Sequence, residues 1–301
     1  MPVMRVLVTG AAGFVGVHLL PRLEAEGWSV AASDREMDVS DPAAVEARVR
    51  EVEPDAIIHL AAVSSVATSW QQPELTYRVN YLGTRSVLEV AQRTVPAARV
   101  ILVSTADLYG STEPGAPPFD ESSALQPRSP YSRCKAAADL LGGIYAERGL
   151  DVVRVRPFNH TGPGQTDAFV LPSFARQVAS IEAGRSEPSM RVGNLDSVRD
   201  FLDIDDVTDA YIRLLDPKVA SGIYNVASGS GVRVGDALHT LCSLAGVEPR
   251  IEVASEFYRP TDHAVGDAER LRAATGWQPR IPFDRTLERL LDHWRERVTA
   301  A

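Results

Sequence analysis

The sequence predicts an α/β fold, a doubly wound parallel sheet followed by a smaller C-terminal α/β region, and three observations carry that expectation. Up to about residue 157, short apolar, β-branched runs alternate with longer segments whose apolar residues recur every three or four positions. A glycine triplet stands between the first run and the first helical segment. After residue 157 the alternation gives way to loops marked by glycine and proline.

In chain order, "RVLVT" (5–9), "SVAAS" (29–33), "AIIHL" (56–60), "RVILV" (99–103) and "DVVRVR" (151–156) read as strands, and their alternation with helical segments predicts a parallel sheet with helices on both faces. Between them, "FVGVHLLPRLEAEG" (14–27), "DPAAVEARVREVEP" (41–54), "QPELTYRVNYLGTRSVLEVAQRT" (72–94) and "SPYSRCKAAADLLGGIYAERG" (129–149) read as helices. Further helices are predicted near 170–184, 205–216, 234–246 and 284–298, with a strand at "GIYNVA" (222–227). No repeat, low-complexity tract or linker interrupts the chain. The second part should therefore pack directly on the first, dividing the chain into 1–158 and 159–301, with segments near 201–227 returning to the first region.

A chain of 301 residues with 45% hydrophobic and 24% charged content can bury a large core. The net charge of -9 excludes a broad nucleic-acid or anionic-lipid surface and points to a small-molecule partner, which a local arginine cluster could bind through phosphate. Cys134 and Cys242 fit neither a metal-site spacing nor a disulfide framework, so no metal is expected. The apolar run Met4–Val8 is too short for a signal segment, and no stretch approaches the ~18 residues of a membrane span. A cytoplasmic protein is the expectation.

"VTGAAGFVG" places Gly10, Gly13 and Gly16 as G-x-x-G-x-x-G between a strand and a helix that opens with Phe14 and Val15. Glycine there allows a tight turn and close approach to a pyrophosphate, while the free N–H groups of the helix start favour an anion. The sheet is thus read as Rossmann-type. Asp34 ends the second strand, where a carboxylate can accept hydrogen bonds from an adenosine ribose and select NAD. Arg35 follows and could hold a 2′-phosphate, so NADH and NADPH both stay open.

Only two of the 31 basic residues are lysine, Lys135 and Lys218. Lys135 stands four residues after Tyr131 on a helix opened by Ser129-Pro130, so the two side chains share a face. A nearby ammonium favours phenolate, which predicts a lowered tyrosine pKa and general acid-base work near neutral pH. "VSTADLYG" ends the fourth strand, placing Ser104, Thr105 and Asp107 at the ligand crevice of such a sheet. Thr105 could hold a substrate oxygen. Asp107 is either a second acid or base, or turn chemistry. His59, inside a strand pattern, reads as a satisfied core histidine.

The glycine triplet, "HLAA" (59–62), "VNYLGT" (79–84), "STADLYG" and the Tyr131–Lys135 pair together resemble the extended short-chain dehydrogenase/reductase family across essentially the whole chain. The resemblance implies Tyr131 as acid or base, Lys135 as the group that lowers its pKa and binds the nicotinamide ribose, and Thr105 as the substrate contact. It implies cofactor contacts also at Asp38, Val39, Leu60, Ala61, Ala62 and Pro157. Asn80 either orients the catalytic helix or is a core amide.

"RPFNHTGPGQ" (156–165), "FVLPSFARQVASIEAG" (169–184), "VGNLDSVRDFLDIDDV" (192–207), "YNVASG" (224–229), "RPTDH" (259–263) and "LRAATGWQPRIP" (271–282) resemble the nucleotide-sugar branch, in particular GDP-6-deoxy-4-keto-mannose reductases and their dehydratase relatives. The series implies a GDP-linked sugar substrate contacting Asn159 and the backbone near Val170 and Asn194, with Arg199 and Arg259 on the diphosphate. A guanidinium suits phosphate geometry, although each arginine alone could equally be an ion-pair member. The expected reaction is NAD(P)H-dependent reduction of a C4 ketone, favoured by the short connection 34–55, where the dehydratases carry an insertion. A 4,6-dehydratase, a 4-epimerase or a non-catalytic NAD(P)-binding protein are the alternatives. A homodimer is expected, because the helices near 73–94 and 130–148 are apolar on more than one side and pair across a two-fold axis in related enzymes.

Overall fold

Six parallel strands form the main sheet of the computed structural model, which describes residues 3–254 and 262–300. Its first half runs β1 (Arg5–Thr9), α1 (Phe14–Ala25), β2 (Ser29–Ser33), α2 (Pro42–Val52), β3 (Ala56–His59), α3 (Val66–Gln71), α4 (Pro73–Tyr77), a π-helical turn (Arg78–Gly83), α5 (Thr84–Thr94), β4 (Arg99–Val103), α6 (Pro130–Glu147) and β5 (Val152–Pro157). The second half runs β6 (Asn159–Thr161), α7 (Val170–Glu182), β7 (Ser189–Val192), β8 (Val198–Asp203), α8 (Ile204–Arg213), β9 (Gly222–Val226), β10 (Gly231–Arg233), α9 (Val234–Ala245), β11 (Arg250–Val253), β12 (His263–Ala264), α10 (Glu269–Thr275) and α11 (Phe283–Ala300).

The strand order is β2-β1-β3-β4-β5-β9. The chain leaves β1 for β2 on one side and returns to β3 on the other, so a crevice opens at the carboxyl ends of β1 and β3, where such folds bind ligands. One apolar cluster fills the space under α1, α8 and the sheet, and a second lies under α2, α5 and the opposite face. A third joins α7, α9 and α11. Smaller pairings, β10-β8-β12 with β6 on β8, and β11-β7, build the rest.

The helix predicted over 72–94 is not continuous. Pro73 restarts it and the π-helical turn Arg78–Gly83 interrupts it around the fully buried Asn80. The helix expected over 205–216 ends at Arg213. No helix among the described residues is long and apolar enough to cross a membrane.

Candidate active site

The glycine loop sits at the switch point. Gly10 has φ +70°, and a Cβ there would lie 2.6 Å from the Ala61 nitrogen. At Gly16 a Cβ would run into the Ala11 carbonyl. The Gly13 N–H closes the turn on the Gly10 carbonyl (3.1 Å), and no side chain caps the start of α1, which leaves its first N–H groups for an anion. These contacts fit a dinucleotide pyrophosphate, whose backbone approach a side chain would block. Phe14 packs edge-on against His18 and stacks on His160, while Val15 turns to the core. His18 Nε2 lies 2.8 Å from the Pro163 carbonyl, which ties this loop to the second half.

Asp34 folds back on the loop. One oxygen accepts the Ala12 N–H (2.8 Å) and the other the Arg35 N–H (2.9 Å), with the Arg35 side chain exposed. Asp38 accepts from Ser40, and Val39 is buried against Gly83. Leu60 and Ala61 form the lip opposite Gly10, and Pro157 ends β5. Asn80 exchanges two hydrogen bonds with the Val63 backbone (2.8 and 3.0 Å), so it fastens the π-helical turn to the segment after β3.

Ser129 starts α6 with a capping box to Ser132, which aims Tyr131 and Lys135 inward side by side. Lys135 donates to the Val103 carbonyl at the end of β4. Burial brings the lysine down to about 8, and the carboxylate of Asp139 opposes that fall. The Tyr131 phenol departs from the sequence-based expectation, because it is raised rather than lowered. Burial in the cleft wall is the main cause, the Asp107 carboxylate adds to it, and a hydrogen bond with Thr105 partly offsets both. Ser104, beside Thr105, has a buried hydroxyl without a partner among the described residues, another sign of a ligand wall.

Behind the lysine, His59 is satisfied on both sides. Thr84 gives its proton to the Asn80 carbonyl, so His59 Nε2 donates to Thr84 (3.1 Å) and Nδ1 accepts from Thr9 (2.8 Å). Burial and the neighbouring Lys135 push it to about 3, a neutral ring.

On the substrate side, Asn159 opens β6 and Val170 opens α7, both half-buried. The Asn194 side chain turns into its own loop and accepts the Asp196 N–H (2.8 Å). Arg199 is in a two-pronged ion pair with Asp262 (2.8 and 3.3 Å), a partner the sequence reading missed. Both charges act on Asp107, whose carboxyl is raised chiefly by desolvation in the cleft; Asp262 adds to the rise and Arg199 opposes it. The residue after Arg199, buried Asp200, accepts N–H groups from Ser228, Gly229 and Gly266 and fastens the loops beside it. Arg259 lies outside the described residues.

The family model of GDP-mannose 4,6 dehydratase matches residues 32–290. The chain belongs to this family. Within it, the chain is 36% identical to GDP-6-deoxy-D-mannose reductase of Pseudomonas aeruginosa, covering 98% of both proteins. It is 31% identical to GDP-6-deoxy-D-talose 4-dehydrogenase of Aggregatibacter actinomycetemcomitans over 91% of this chain and 92% of that protein. The solved structure of RMD from Pseudomonas aeruginosa complexed with NADPH superposes with a TM-score of 0.90 at 35% identity, covering 98% of this chain and 99% of that one. As a dehydratase-family member the chain is a short-chain oxidoreductase of the nucleotide-sugar branch that uses a nicotinamide cofactor. The Rossmann-type sheet matches those of the solved relatives.

Proposed function

We propose that the protein reduces the C4 ketone of GDP-4-keto-6-deoxy-mannose to a GDP-6-deoxyhexose such as GDP-D-rhamnose, with NADH or NADPH as reductant. The observation that carries this reading is a protonated phenol where a proton donor is needed: Tyr131, raised in pKa, beside the Thr105 hydroxyl at the end of β4. The cofactor, when bound, supplies the hydride. Thr105 holds the carbonyl oxygen, Tyr131 gives its proton to the forming alkoxide, and the Lys135 ammonium stabilises the phenolate left behind. Residues 1–158 serve the cofactor and 159–301 the nucleotide sugar, with Arg199 released from Asp262 to meet the diphosphate.

We infer a homodimer from the apolar side chains left exposed on α3, α4 and α6, namely Trp70, Tyr77, Leu140 and Ile144. The deciding experiment incubates purified protein with GDP-4-keto-6-deoxy-mannose and NADPH or NADH, follows the nicotinamide absorbance and identifies the sugar. Oxidation of the cofactor with formation of a GDP-6-deoxyhexose is expected. Conversion of GDP-mannose by protein that retains NAD, without added reductant, would instead make it a dehydratase and assign Asp107 the elimination.

A further inference from the structure

Tyr131, Lys135 and Asp139 follow one another at four-residue spacing on α6, so all three lie along one strip of the helix. Asp139 is completely buried, where an unpaired carboxylate would be strongly disfavoured. Two arginines of β5 meet it. Arg156 grips both oxygens (2.7 and 3.0 Å) and Arg154 reaches one at 3.3 Å. Arg156 is held in turn by the Tyr109 hydroxyl (2.9 Å).

Lys135 has few other charges to answer. From β4 it meets the neutral Val103 carbonyl, from β3 the neutral His59, and from its own helix the protonated Tyr131. Asp107 acts on Tyr131, and Arg154 and Arg156 act on Asp139. Asp139 is thus the anion that a buried ammonium sees, and two guanidinium groups already draw on its charge.

We propose that Asp139 is the positioning residue of the active-site lysine: its buried carboxylate, shared between Arg154 and Arg156, keeps Lys135 an ammonium inside the cleft. The arginines set how much of that carboxylate the lysine receives. This rests on the reading of Lys135 as part of the proton-transfer site only for its catalytic consequence.

Because the chain has two lysines, protein labelled with ε-13C lysine shows two side-chain resonances, with exposed Lys218 as the internal reference. Titration of the ligand-free protein should place the Lys135 midpoint near 8. Asp139→Asn should lower it by about one on the pH scale or more, since the cations that remain then act unopposed. Arg154→Met removes one cation and frees carboxylate charge, so it should raise the midpoint by roughly half as much. Opposite signs are required, and a role confined to helix packing does not produce them. An unchanged midpoint in Arg154→Met, or shifts of the same sign in both variants, overturns the proposal. Should Asp139→Asn fail to fold, Arg154→Met decides alone. The alkaline limb of kcat then tests the lysine separately: if the resonance moves and the limb does not, Asp139 keeps its role and Lys135 loses its place in the reaction.

Discussion

Burial takes Lys135 from 10.5 to about 8, and the sign of that change sets what pH does to the enzyme. Below about 8 the folded and unfolded chains both carry the ammonium, so the cost of burying it is fully present. Between 8 and 10.5 the unfolded chain binds the proton more tightly, and stability rises with pH. On the proposed mechanism activity should run the other way, full while the ammonium persists and lost as pH climbs through about 8, as a kcat–pH profile would show. Lys135→Met should accordingly be inactive yet more stable at pH 7, by on the order of 1–2 kcal/mol in denaturant titration, once the lost hydrogen bond is subtracted. Equal stability would mean the cleft is wetter than its burial implies. Tyr131→Phe removes the proton donor and should lower kcat by about 10² to 10⁴ with cofactor affinity nearly intact, as cofactor fluorescence would show. Asp34→Asn retains an acceptor for the Ala12 N–H but loses the charge facing a 2′-phosphate. The ratio of kcat/KM should shift toward NADPH by about 1 kcal/mol, and an unchanged ratio would show that Asp34 does not read the ribose.

At the scale of elements, the five strands of the first half were legible because each is a short, mostly apolar run set between longer helical segments. β6, β10, β11 and β12 were not, since two to four residues such as "NHT", "GVR" or "HA" carry no period and owe their conformation to partners far away in the chain. The break inside 72–94 was hidden for a similar reason: Asn80 fits a helical pattern, and only its bonds to Val63 reveal why the turn widens there. In the site, the glycine triplet and the Tyr131–Lys135 spacing are local signals and could be read. Asp262 and Asp139 act through Arg199, Arg154 and Arg156, which the fold brings to them, and the rise of the Tyr131 pKa follows from enclosure that spacing does not encode. The outer face of α6 yields its own test. Leu140→Asp with Ile144→Asp should convert a dimer to a monomer in light scattering at micromolar concentration, while a wild type that is already monomeric would refute the pairing.

Across the whole molecule, the sheet is finished by a strand that arrives late. β9 (Gly222–Val226) pairs with β5, and its Asn225 reaches back to the Tyr109 hydroxyl, the Phe119 carbonyl and the Glu121 carboxylate. A chain still being translated therefore has the first five strands outside the ribosome for some 65 residues before the sixth exists. During that interval Val152–Pro157 is an open edge, toward which a neighbouring nascent chain could add a strand. A fragment ending at residue 158 should be insoluble when expressed alone and recover when 159–301 is co-expressed, as partition between pellet and supernatant would show. On that outcome the second half serves the first as an intramolecular chaperone, besides the sugar-binding role proposed for it.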